Sequence, residues 1–80
     1  MRLRWKETKN EFEHYFRAEI KADRYVQIDV LDEGSYGPGI YGKDFSLSSF
    51  SDDNLWGEFS TRAAASKWCY KMLKATGYGD

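Results

Sequence analysis

From Phe12 to Leu31 apolar and polar positions alternate. Phe12, His14, Phe16, Ala18 and Ile20 are separated by Glu13, Tyr15, Arg17 and Glu19, and Val26, Ile28 and Val30 by Gln27 and Asp29. A period of two belongs to a strand with one face on a core and the other in solvent. Phe12, Phe16 and Ile20 also sit at i, i+4, i+8, a helical spacing. The β-branched run after them, reached through the polar Lys21-Ala22-Asp23-Arg24 step, favours two strands and a turn near Ala22 and Asp23. The pattern predicts a β-hairpin over 11–31.

The period changes at the other end of the chain. Ala65, Trp68, Cys69, Met72, Leu73 and Thr76 fall in one arc at about 100° per residue, the signature of an amphipathic helix. Ser60 or Thr61 can cap its first turn, Ala63, Ala64 and Ala65 carry high helix propensity, and Gly77 can adopt the left-handed conformation that closes the last turn.

Between these regions, residues 32–39 hold three glycines and the only proline and predict a turn. Ile40 to Leu47 predicts a third strand with Tyr41, Phe45 and Leu47 on one face, and Leu3 and Trp5 a short first one. The expected architecture is α+β: an antiparallel three- or four-stranded sheet with one C-terminal helix packed on one face. A single domain spans 1–80, as a strand meander over about 2–47, a loop over 48–59 that carries Phe50, Leu55, Trp56 and Phe59, and a helix over about 60–76.

Eighty residues suffice for one small core, and five Phe, six Tyr and three Trp supply its apolar area despite 31% charged residues. The net charge is −1, which marks neither an obligate nucleic-acid binder nor a membrane-surface protein. Its distribution is uneven: residues 1–28 carry +2, residues 29–58 carry −6 and residues 59–79 carry +4. Cys69 is the only cysteine, so no internal disulfide can form. The basic N-terminus leads into no apolar run, and nowhere do about 18 apolar residues follow one another. A cytoplasmic protein without membrane contact is expected.

Catalytic chemistry finds no anchor, and a non-enzymatic protein is expected. Gly37-Pro38-Gly39-Ile40-Tyr41-Gly42 matches G-x-G-x-x-G in form, but that fingerprint needs a helix to follow it, and here a strand follows. The glycines are expected to serve a wide hairpin loop, and no cofactor is expected. His14 lies on the apolar face of its strand without an oriented partner for acid–base work. Cys69 lies on the helix's apolar stripe, where a thiol is a small hydrophobe. One Cys and one His do not make a zinc site, and Asp52 and Asp53 fit a turn better than a calcium loop, so no metal site is expected.

Two surfaces remain as binding candidates. Tyr36, Tyr41, Asp52, Asp53 and Trp56 join acidic and aromatic side chains on loops, a composition suited to a protein partner. Lys67, Lys71 and Lys74, with Tyr70 beside them, form a basic helix face suited to phosphates and a stacked base.

With a strand meander followed by Phe59-Ser60-Thr61, Ala63-Ala64-Ala65 and a helix ending in Met72-Leu73, the chain resembles small phage-encoded accessory proteins, among them the anti-CRISPR inhibitors. The resemblance implies a non-enzymatic inhibitor or adaptor that binds a protein partner, such as a host nucleoprotein complex, through the acidic aromatic loops. The alternative is a small nucleic-acid-binding module that uses the lysine face, with Arg2, Arg4 and Lys6 as further basic contacts.

Overall fold

The computed structural model describes residues 2–21, 23–31, 34–43, 45–49 and 57–78. Among them run five strands, β1 (Lys6–Lys9), β2 (His14–Lys21), β3 (Arg24–Val30), β4 (Tyr36–Gly42) and β5 (Phe45–Ser48), followed by one helix, α1 (Arg62–Thr76). The strands form a single antiparallel meander in sequence order, and α1 lies across β3 and β4. The α+β class with a C-terminal helix is as expected, but the sheet has five strands and not three or four.

The additional strand comes from residues that the sequence assigns to turns. Positions 37–39 lie within β4, and the predicted strand over 40–47 divides into the end of β4, a short turn and β5. Glycine is required there by neighbouring rings. A Cβ on Gly39 would stand 2.6 Å from Cζ of Tyr41, whose ring lies over that residue, and a Cβ on Gly42 would collide with the ring of Tyr78. Pro38 costs the β3–β4 ladder no bond. Its carbonyl accepts from Ser49 N at 3.0 Å, so the side of its backbone that lacks an N–H faces away from β3, past the last β4–β5 pair at Gly39 and Ser48. The reversal between β3 and β4 is confined to Leu31–Ser35, closed by Leu31 N to Ser35 O at 2.8 Å and by Gly34 at φ 78°.

The first strand also differs from expectation. Leu3 and Trp5 precede β1, and Phe12, expected on the buried face, is 89% exposed. Asn10 is the cause. Its Oδ1 accepts from Phe12 N at 2.8 Å and Glu13 N at 3.0 Å, which bends the chain and delays β2 until His14. The predicted hairpin then runs as expected, with Lys21 paired to Arg24 and a bulge between Glu19 and Lys21.

Helix α1 carries the caps its sequence announces. Thr61 is extended (φ −136°, ψ 153°) and its Oγ1 accepts from Ala64 N at 3.1 Å, while Gly77 takes φ 71°. Ala65, Trp68, Cys69 and Leu73 are buried against Val26, Ile28, Ile40 and Leu3. Met72 is half-buried, and Thr76 is exposed and bonds back to the carbonyl of Met72. At the N-terminus of the helix the Arg62 guanidinium covers the Phe16 ring at 4.8 Å. No helix among the described residues is long and apolar enough to cross a membrane.

Candidate functional site

The core occupies one face of the sheet. Pairing places the alternate positions on the other, in rows running Lys6–Arg17–Gln27–Gly39–Ser48, Thr8–Tyr15–Asp29–Gly37 and Glu19–Tyr25–Tyr41–Ser46. No helix or strand among the described residues packs on this second face.

Its side chains organise themselves. Tyr25 and Tyr41, directly opposite on β3 and β4, stack with ring centroids 5.3 Å apart. The Arg17 guanidinium lies 4.3 Å from the centroid of Tyr25 and 5.1 Å from that of Tyr15, so it bridges two rings. Two hydrogen bonds fix it: Nε and Nη2 donate to Gln27 Oε1 at 2.9 and 2.7 Å. Gln27 Nε2 in turn donates to Asp29 Oδ1 at 2.8 Å. The result is a continuous ladder, Tyr41–Tyr25–Arg17–Tyr15, running obliquely over three strands. Burial, with the negative charge of Asp29 adding to it, raises the Tyr41 phenol above its ordinary value near 10.

At Arg17 the ladder adjoins a cluster of basic side chains. Arg2, Arg4, Lys6, Arg17 and Glu19 line an open hollow of about 430 Å³ at the β1 edge. Alternation aims these basic residues outward: Leu3 is buried in the core and Trp5 packs against it, so their even-numbered neighbours face the other way. Tyr70 fixes the segment, since its hydroxyl oxygen accepts from Leu3 N at 2.9 Å.

The residues singled out in the sequence are dispersed. Tyr36 packs against the core, on the face opposite Tyr41, because five positions along one strand reverse the side. Asp52, Asp53 and Trp56 lie outside the described residues. The backbone flanking them is joined, Gly57 N to Ser49 O at 3.1 Å, and Phe59 exchanges two bonds with Tyr36. Lys67, Lys71 and Lys74 are exposed on α1, with Lys67 and Lys71 flanking a small apolar hollow beside Phe59 and Trp68. Tyr70 is 38% exposed, and its hydroxyl holds the N-terminal segment.

Sequence reasoning passed over Arg17, Tyr15, Tyr25, Gln27 and Asp29 as the solvated side of the hairpin. Their alternation with the apolar residues was the available signal that they share one surface.

His14, expected to lack an oriented partner, has one across the β1–β2 pair: its Nε2 lies 2.6 Å from Glu7 Oε2 at the sheet edge. Cys69 is buried and its thiol is pushed up to about 12 by desolvation, so it stays protonated at neutral pH. The described residues hold no group of three side chains able to bind a metal ion. No protein-family model matches the chain, and neither do the characterised proteins or the solved structures compared with it.

Proposed function

We propose that this protein binds single-stranded nucleic acid on the open sheet face, by contact alone and without bond chemistry. The single observation that carries the proposal is the Tyr41–Tyr25–Arg17–Tyr15 ladder, whose Arg17 also lines a hollow with Arg2, Arg4, Lys6 and Glu19. Rings offer stacking surface to any base, and the adjoining cations neutralise the phosphates that connect the bases. The proposal shares its chemistry with the nucleic-acid-binding alternative expected from the sequence, but it rests on Arg2, Arg4 and Lys6 beside the aromatic side chains of the sheet and not on the lysine face of α1.

Fluorescence anisotropy with labelled single-stranded RNA and DNA of mixed sequence tests the proposal. Binding should weaken with salt, with a log–log slope of about −2 to −3 if the hollow and Arg17 neutralise three or four phosphates. Tyr25→Leu should cost about 1–3 kcal/mol of binding while Tyr25→Phe retains it, because stacking needs the ring and not the hydroxyl. Lys67, Lys71 and Lys74 to Ala should change little. Loss of binding in that triple variant would move the site to the helix. No binding of either nucleic acid would end the proposal. A protein partner released by Arg17→Ala or Tyr25→Leu would then support the inhibitor role, with Tyr and Arg as interface anchors.

A further inference from the structure

We propose, building on the nucleic-acid role above, that Asp29 makes the open face selective for guanine. A carboxylate repels phosphate, so Asp29 works against general affinity on a surface whose other role is to gather phosphates. What it can do is accept hydrogen bonds from a base edge.

Its setting suits that task. Asp29 lies directly opposite Tyr15 on β2 and Gly37 on β4. Gln27 orients it through the bond to Oδ1, and the same amide's oxygen holds Arg17, so acceptor and ladder are fixed by one relay. A carboxylate offers about four lone-pair sites, so among the described residues this bond leaves acceptor capacity unused. A base resting on Tyr15 therefore presents its edge next to an oriented anion.

The four bases differ in what they offer. Guanine presents N1–H and the N2 amino group side by side, two parallel donors that match the two oxygens of a carboxylate. Adenine and cytosine each pair one amino group with a ring acceptor. Uracil and thymine place one N–H between two carbonyls, which the carboxylate repels. A good bidentate contact discriminates by about tenfold or more, and single strands expose the edges needed for it.

The test uses the full chain and uridine oligonucleotides carrying one central guanosine, adenosine, cytidine or inosine, read by anisotropy. Guanosine should bind about tenfold tighter than uridine, and inosine, which lacks the N2 amino group, should lose most of that advantage. Asp29→Asn should abolish the guanosine preference and leave or raise the affinity for the uridine-only strand. Equal binding of all strands by the wild type would overturn the selectivity and leave the nucleic-acid role standing. Absence of binding to every strand would overturn both. A preference undiminished by inosine, or retained in Asp29→Asn, would show that Asp29 is only a cross-strand tether. The inosine comparison needs no variant, so it decides the matter even if Asp29→Asn is poorly folded.

Discussion

The two faces of the sheet are made from alternate residues of the same strands, yet they solve opposite problems. On the covered face, Val26, Ile28 and Ile40 are removed from solvent by Ala65, Trp68, Cys69 and Leu73 of α1. On the open face, Tyr15, Arg17, Tyr25 and Tyr41 shield the backbone with one another, through ring stacking and a guanidinium held between rings. An antiparallel sheet can leave one side in water, but the usual occupants are short polar or singly charged side chains. Here the exposed side is an ordered surface of rings and cations, and that order is what makes it a candidate for binding.

The comparison breaks most sharply at Trp68. It belongs to the covered face, is 4% exposed, and its indole Nε1 finds no hydrogen-bond partner among the described residues. Trp68→Ala should cost about 3–5 kcal/mol, enough to unfold a domain of this size. Trp68→Phe should cost much less, because the volume lost is partly offset by removing a buried donor without a partner. Denaturant melts of the two variants check this. A wild-type melt for Trp68→Ala would mean that α1 does not close the core.

Legibility followed the same division. Helix α1 and the β2–β3 hairpin were readable because their signals are local: caps within one turn, an arc at 100°, and strict alternation of Phe16, Ala18 and Ile20 with Arg17 and Glu19. Strands β4 and β5 were legible only in part, as one strand over 40–47, because Gly37-Pro38-Gly39 carries the local signature of a turn, while Gly39 and Gly42 sit under the rings of Tyr41 and Tyr78, and Tyr78 lies far along the chain. Misplacing β4 also hid the fact that Tyr36 and Tyr41 occupy opposite faces. The candidate surface was half legible: alternation put Tyr15, Arg17, Tyr25, Gln27 and Asp29 on one side, but only cross-strand register brings Arg17 between two tyrosines.

A second contrast lies in pH dependence. The covered face holds Cys69, whose thiol is raised from an ordinary value near 9 to about 12 by burial. The folded protein therefore keeps a proton that the unfolded chain releases. The stability gained from a neutral thiol is complete below about pH 9 and is lost progressively as pH rises from 9 towards 12. Stability measured by urea titration should fall over that window, and Cys69→Ala, though less stable at neutral pH, should show a shallower alkaline decline. An equal decline in both proteins would assign it to other groups.

The smallest expected effect is at Tyr70, where the two faces are coupled. From the exposed side of α1 its hydroxyl accepts the amide of Leu3, and Leu3 is the buried residue between Arg2 and Arg4. Tyr70→Phe removes one partly buried hydrogen bond and should cost about 1 kcal/mol or less in stability. Its consequence for binding should be selective, because the freed segment carries the cations of the hollow and none of the rings. Oligonucleotide affinity should drop severalfold at low salt and the salt slope should become shallower as fewer phosphates are neutralised, while the loss caused by Tyr25→Leu stays the same in the Tyr70→Phe background. A Tyr70→Phe protein with an unchanged salt slope would mean that Arg2 and Arg4 bind no phosphate, and that the stacking ladder works without the hollow.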